Sequence, residues 1–146
     1  MTKSVLIFLI DDNKVCLGRK KTGHGLGKWN GFGGHVEKNE TSEKAAAREL
    51  YEEAKIKIVA SELIKVATIL YKEKSDWTVE VFLTHSKIQP IETPEMEPAW
   101  FDISTIPWDE MWPNDKLWLE KILNGEKFEA TFWHDHNGNL LKYQFS

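Results

Sequence analysis

Three carboxylates, Glu49, Glu52 and Glu53, stand close together just after the glycine-rich run Trp29-Asn30-Gly31-Phe32-Gly33-Gly34. On a helix, which turns about 100° per residue, Glu53 lies about +40° from Glu49 and Glu52 about −60°, so all three crowd one side. Ala46, Leu50, Tyr51 and Ala54 fill the adjacent arc, as a core-facing stripe does. Like charges at these spacings weaken an isolated helix by roughly 0.2–0.5 kcal/mol per pair. A divalent cation reverses that penalty. Mg²⁺ takes oxygen ligands and keeps several waters, which suits a phosphate-bearing substrate; Mn²⁺ is the alternative. The competing reading is a solvated acidic face. Two neighbours weigh against it. The glycines let backbone carbonyls and amides approach a metal or a phosphate, and Arg48 can hold a carboxylate by a forked hydrogen bond.

A second group could choose a ligand. Trp108, Trp112 and Trp118 surround Pro113-Asn114-Asp115, and Trp29 precedes Asn30. Indoles beside Asn and Asp supply what a purine pocket needs, a flat stacking surface and directional groups for the base edge. Aromatics that build a core, with Asn114 capping a helix, explain the same residues equally well.

The elements that must hold these groups follow from patterning. Val5–Ile10 and Lys14–Arg19 flank Asp11-Asp12-Asn13 as a hairpin. Lys20 to Gly27 is a basic, glycine-rich loop, and Trp29–Gly33 a short strand. Thr41 or Ser42 caps a helix that runs to about Ala54, with Glu43 in its first turn. Ile56–Val59, Glu62–Tyr71 and Trp77–His85 follow as strands, Ile88–Met96 as a loop, and Trp100-Phe101 opens another strand. Pro113-Asn114-Asp115 begins a helix through Lys116–Asn124 that Gly125 ends. Phe128–Trp133 and Leu140–Phe145 surround the turn Asp135–Asn139. The expected class is α/β (α+β): one domain, residues 1–146, with a mixed sheet between helices on both faces.

The chain has 146 residues, 41% hydrophobic and 29% charged, which is enough for one core and too apolar for disorder. A net charge of −4 disfavours gripping a nucleic-acid polymer but permits a free nucleotide with metal ions and local lysines. Cys16 is the single cysteine; it lies in an apolar strand and fits a reducing compartment. The apolar run Val5–Ile10 is shorter than the roughly 7–15 residues of a secretory signal or the ~20 of a membrane span. A cytoplasmic, monomeric protein that does not engage membranes is expected.

The pattern Gly34-x5-Glu40-x7-Arg48-Glu49-Leu50-x-Glu52-Glu53-x-x-Ile56 resembles the Nudix box of the nucleoside-diphosphate-linked hydrolases. It departs at Lys55, where the family usually has a glycine that ends the helix in a left-handed conformation. A lysine there costs about 1 kcal/mol or forces another exit. Further matches at Gly27–Gly34, Glu95–Phe101 and Ile106–Trp118 resemble the animal branch that hydrolyses oxidised purine nucleoside triphosphates such as 8-oxo-dGTP to monophosphate and pyrophosphate.

The resemblance implies a Nudix fold, with Glu49, Glu52 and Glu53 as metal ligands joined by the Gly33 carbonyl. It implies that Arg48 orients the cluster and Glu40 supports it, and that Glu53 or Glu95 is the base. Asn30, Trp112, Asp115 and Trp118 would line the base pocket, with Lys20 beside it. Asn114 replaces an aspartate of that branch. Its amide can donate to a purine O6 while ionised Asp115 accepts from N1–H and the 2-amino group, which favours guanine over adenine-type edges. His24 and Val5 also depart from the branch. Another nucleotide (a normal dNTP, a pterin triphosphate or a sugar nucleotide) is the alternative substrate. A nucleotide-sensing module without catalysis is the alternative class; it has no need of all three carboxylates.

Overall fold

The computed structural model describes residues 2–146. Its strands are β1 (Thr2–Asp11), β2 (Lys14–Lys20), β3 (Trp29–Asn30), β4 (Phe32–His35), β5 (Ile64–Lys72), β6 (Trp77–His85), β7 (Met96–Asp102), β8 (Phe128–His134) and β9 (Leu140–Phe145). Its α-helices are α1 (Ser42–Ala54) and α2 (Asp115–Leu123). The strands join one mixed sheet in the order β3-β2-β1-β6-β5-β8-β9, with β4 also on β1 and β7 also on β2.

The centre of the sheet is β1, an apolar run buried on both faces. Val5, Ile7 and Leu9 pack on the side of α1, with Ala45, Ala46 and Leu50. Phe8 points the other way and meets Trp118 of α2 edge-on, with ring centroids 6.0 Å apart. Each fully buried Leu, Ile or Phe contributes roughly 1.5–3 kcal/mol of burial free energy, so the two helices are fixed on opposite faces by alternate residues of one strand. One edge of β1 serves two partners. Ser4–Ile7 pair with β4, and Leu9–Asp11 pair with β2. The other edge runs parallel to β6 from Thr2 to Ile10. The parting of β2 from β4 lets the site reach from α1 toward the opposite face.

Helix α1 begins as its sequence dictates. Thr41 Oγ1 accepts from the Lys44 amide at 3.2 Å, and Glu43 lies in the first turn. It ends on Lys55 in the left-handed conformation, φ 58° and ψ 30°, with its amide donating to the Tyr51 carbonyl. The family's glycine geometry is therefore kept by a lysine whose Nζ lies 5.0 Å from the Tyr51 ring centroid.

Some boundaries differ from the sequence pattern. Ile56–Val59 is not a strand. Ile56 is buried against Leu50 and Met96, with Ile58 packed beside it, so apolar residues alternate without any ladder. Ala60–Glu62 forms a 3-10 turn, and the next strand starts at Ile64. The strand expected over Trp29–Gly33 is split at Gly31 into β3 and β4, and β7 begins earlier than expected, at Met96. Among the described residues no helix is long and apolar enough to cross a membrane.

Candidate active site

Arg48, on α1, gathers the acidic cluster. Its Nε donates to Glu40 Oε2 at 2.8 Å and its Nη2 to Glu40 Oε1 at 3.0 Å, a two-pronged bond. Nη1 donates to Glu49 Oε1 at 2.8 Å and reaches Glu52 Oε1 at 3.4 Å, while Nη2 also meets the His35 carbonyl at 3.1 Å. One planar guanidinium thus ties the loop before α1, the end of β4 and two of the three carboxylates together. The pull on Glu40 is strong: the Arg48 hydrogen bond brings its pKa down to about 2.

Glu53 is held differently. Its Oε1 accepts from the Gly33 amide at 2.8 Å, and the residue is 1% exposed. In an antiparallel ladder the N–H and C=O of one residue point the same way, so the Gly33 carbonyl also leaves the β1 ladder on the Glu53 side. Glycine is required here, because a Cβ at Gly33 would fall 1.9 Å from the Val5 carbonyl oxygen. At Gly34 a Cβ would occupy the space of the Glu49 carboxylate, 2.6 Å from Oε1. Burial pushes Glu53 up to about 7, with Glu49 and Glu95 adding repulsion and Gly33 and Lys20 opposing it. Burial raises Glu49 as well, with Glu52 and Glu95 contributing against Arg48.

The donor set fits a hard divalent cation. It offers carboxylate oxygens and an outward-facing carbonyl, and repulsion among Glu49, Glu53 and Glu95 that a cation would relieve. Among the described residues no three acidic, His or Cys side chains already converge as a cage; Glu49 and Glu52 turn to Arg48 instead.

Glu95 arrives from a separate segment that is tied to the end of α1. The Thr93 hydroxyl donates to the Glu53 carbonyl at 3.0 Å, and the Ile91 amide to the Ala54 carbonyl at 2.9 Å. These bonds satisfy carbonyls that the last turn of a helix leaves open. Just past the end of β2, Lys21 gives its backbone amide to the Glu95 carbonyl at 2.9 Å and its Nζ to the Thr93 carbonyl at 2.9 Å.

A cavity of about 740 Å³ runs from this cluster to the start of α2. Of the carboxylates, Glu53 lines it, beside Gly33 and Lys20, while Glu49, Glu52 and Glu95 do not; Asn30, Trp112, Asn114, Asp115 and Trp118 line it as well. Asn114 stands at the N-cap position but makes no side-chain capping bond, so the capping explanation does not account for it. Asp115 is 6% exposed, and its Oδ2 and the Trp118 indole nitrogen lack hydrogen-bond partners. Burial pushes Asp115 up to about 7, with the Lys28 charge opposing the shift. The guanine preference rests on ionised Asp115; a carboxyl raised by burial can also hold its proton and donate.

Asn30 Oδ1 accepts from the Gly31 amide at 2.8 Å, which leaves its NH₂ group free of that bond. The Trp112 ring stacks on His24, 4.9 Å between centroids, with Lys28 Nζ 5.1 Å from the ring. Trp118 is 1% exposed and forms a wall, not an open stacking face. Trp29 stays out of the cavity; it packs edge-on against Phe101 at 4.9 Å.

The cavity has a further wall that the sequence pattern did not single out: Tyr71 and Glu73 around the end of β5, Trp77 at the start of β6, and His134 at the end of β8. In sequence these residues stand at or just beyond strand ends, far apart along the chain. The available signal was polarity, a His and a Tyr at strand ends facing turns.

A NUDIX domain family model matches residues 1–122. The chain is 40% identical over 131 residues to the oxidized purine nucleoside triphosphate hydrolase of Danio rerio, covering 87% of this chain and 83% of that protein. It is 37% identical over 144 residues to the enzyme of the same name from Mus musculus, covering 94% and 90%. Among solved structures, the mutator MutT protein from Bacillus halodurans superposes with a TM-score of 0.80 at 21% identity, covering 100% of this chain and 98% of that one. A MutT NUDIX hydrolase from Burkholderia pseudomallei gives a TM-score of 0.71 at 22% identity, covering 83% and 97%.

Proposed function

Because the chain belongs to the NUDIX domain family, we propose that it hydrolyses oxidised purine nucleoside triphosphates, 8-oxo-dGTP among them, to the monophosphate and pyrophosphate, and so clears damaged precursors of DNA. The observation that carries this reading is one cavity with two chemically distinct sets of lining groups. Glu53, the member of the acidic cluster that opens onto it, shares its lining with the uncapped Asn114 amide and buried Asp115.

A pyrophosphate bond breaks when its phosphates are neutralised and a water is aimed and deprotonated. A divalent cation, Mg²⁺ by preference and Mn²⁺ as a substitute, supplies the neutralisation when bound; Glu49, Glu52, Glu53 and the Gly33 carbonyl would hold it. Arg48 keeps Glu49 and Glu52 on that side through its hydrogen bonds, and Glu40 anchors Arg48. Glu53 is the favoured base. Its carboxylate is already oriented by the Gly33 amide and lines the cavity. Glu95 is the alternative base, held to the same helix end through Thr93. Lys20, which opposes the shift at Glu53, supports the phosphates.

At the base end, Asn30 and Asn114 present amides, Trp112 a stacking face, and Trp118 the wall behind Asp115. The raised Asp115 favours a pocket that takes adenine-type as well as guanine-type oxidised bases. Every group invoked belongs to one chain, so a monomer is the proposed working unit. Strands β8 and β9 join the same sheet, so the proposed domain is the whole of 1–146. The lone Cys16 and the net charge of −4 favour a reducing cytoplasm and free nucleotides over nucleic-acid polymers.

The test compares kcat/KM for dGTP, 8-oxo-dGTP, 2-hydroxy-dATP and ADP-ribose with Mg²⁺. The oxidised purines are expected to lead. Leading turnover of ADP-ribose would move the chain to another Nudix substrate class, and tight binding without turnover would make it a sensor.

A further inference from the structure

The cavity continues past Asp115 to a wall that the proposed reaction leaves unused. Tyr71, at the end of β5, lies beside Asp115; burial and then the Asp115 charge raise its phenol and keep it neutral. His134, the last residue of β8, stacks on Tyr71 with centroids 6.1 Å apart and planes at 30°. Trp77 stacks on Tyr71 at 4.6 Å. The His134 side chain is 8% exposed and lines the cavity. Its Nδ1 has no hydrogen-bond partner, since Glu73 Oε1 is 3.6 Å away, beyond hydrogen-bonding reach. A buried ring nitrogen without a partner is a cost that a bound ligand atom would remove.

The direction of approach follows from the purine reading, on which this inference rests. If Asp115 reads N1–H and the 2-amino group of a guanine, a substituent on that amino nitrogen would start at Asp115, in the same cavity that Tyr71, Trp77 and His134 line. That wall is aromatic and carries the polar His134 nitrogen. We propose that Tyr71 and His134 form a subsite for guanine nucleotides carrying a short substituent on the exocyclic 2-amino nitrogen, an apolar spacer ending in a hydroxyl oxygen, as small-aldehyde damage followed by reduction would leave. A hydroxyl both donates and accepts, so it satisfies Nδ1 in either imidazole tautomer.

The experiment is calorimetric titration of the protein with three monophosphates: dGMP, N2-(2-hydroxyethyl)-dGMP and N2-propyl-dGMP. The last two have the same number of heavy atoms and differ in the terminal oxygen. The native protein is expected to bind the hydroxyethyl compound about tenfold more tightly than the propyl compound, the scale of one buried hydrogen bond. His134→Phe keeps an aromatic on Tyr71, and its melting curve checks the fold. It should bring that ratio to about one with dGMP affinity within about twofold, and His134→Gln should restore part of the preference. A native ratio near one, or an undiminished ratio in His134→Phe, overturns the subsite even where dGMP binds. Failure of the native protein to bind dGMP overturns the purine reading and the subsite together.

Discussion

Gly33 donates its backbone amide to Glu53 Oε1 at 2.8 Å, so a strand whose register is set by β1 aims a carboxylate carried by α1. Glu53→Gln keeps the shape and an acceptor for Gly33 but removes the charge. Steady-state kinetics under saturating Mg²⁺ should show kcat lowered by at least about 100-fold, the scale of lost acid–base chemistry, with KM changed a few-fold. Near-native turnover would remove Glu53 from the reaction. Glu52→Gln should also lower kcat, through loss of a ligand charge.

Lys55 holds φ 58° at the end of α1. A left-handed non-glycine residue costs roughly 1–2 kcal/mol, while glycine adds about 0.4–1 kcal/mol of unfolded-state entropy to be lost. Lys55→Gly should therefore stabilise the fold by a net ~0.5–1 kcal/mol, read by chemical denaturation. A lower midpoint would mean that the contact of Lys55 with Tyr51 outweighs the backbone strain.

Asn114 separates a structural role from a recognition role. A working N-cap replaced by alanine costs about 0.5–2 kcal/mol. Because the Asn114 side chain caps nothing, Asn114→Ala should leave stability within about 0.5 kcal/mol. It should lower kcat/KM for 8-oxo-dGTP about tenfold through the lost base contact. The reverse pattern, lost stability with retained kcat/KM, would return Asn114 to capping.

Asp115 makes both stability and base choice depend on pH. Its ordinary value of 3.8 is raised to about 7 by burial. The folded state holds the proton more tightly, so the fold is unpenalised below the unfolded value. Stability is then lost as pH rises toward 7, and the full cost persists above it. Asp115→Asn should raise Tm more at pH 8 than at pH 5 (both approximate test values). In turnover, protonated Asp115 can donate to an adenine-type N1, whereas the ionised form can only accept. The kcat/KM ratio of 2-hydroxy-dATP to 8-oxo-dGTP should fall as pH rises through about 7. A flat ratio would take Asp115 out of the base contact.

Particular residues show what the chain made legible. Glu40, Arg48, Glu49, Glu52 and Glu53 could be placed together because they share one helix and the loop before it, where the 3.6-residue period fixes direction. Thr41 announced the start of α1 by the same local logic. Ile56 and Ile58 misled because burial of alternate residues marks a strand only if a neighbour supplies a ladder. Tyr71, Trp77 and His134 could not be grouped from the chain because their common wall arises from pairing distant strands: Tyr71 sits opposite both Trp77 and Phe132. The ionisation of Asp115 depends on burial between elements, which no local pattern carries.

The central claim is pyrophosphate chemistry on an oxidised purine, and product analysis tests it most directly. 8-oxo-dGTP is incubated with the native protein and Mg²⁺, and the products are quantified by anion-exchange chromatography. The predicted result is 8-oxo-dGMP and pyrophosphate in equal amounts, with neither formed by Glu53→Gln at a comparable rate. Release of orthophosphate with the diphosphate as partner product, or binding of 8-oxo-dGTP without any cleavage, would contradict the account.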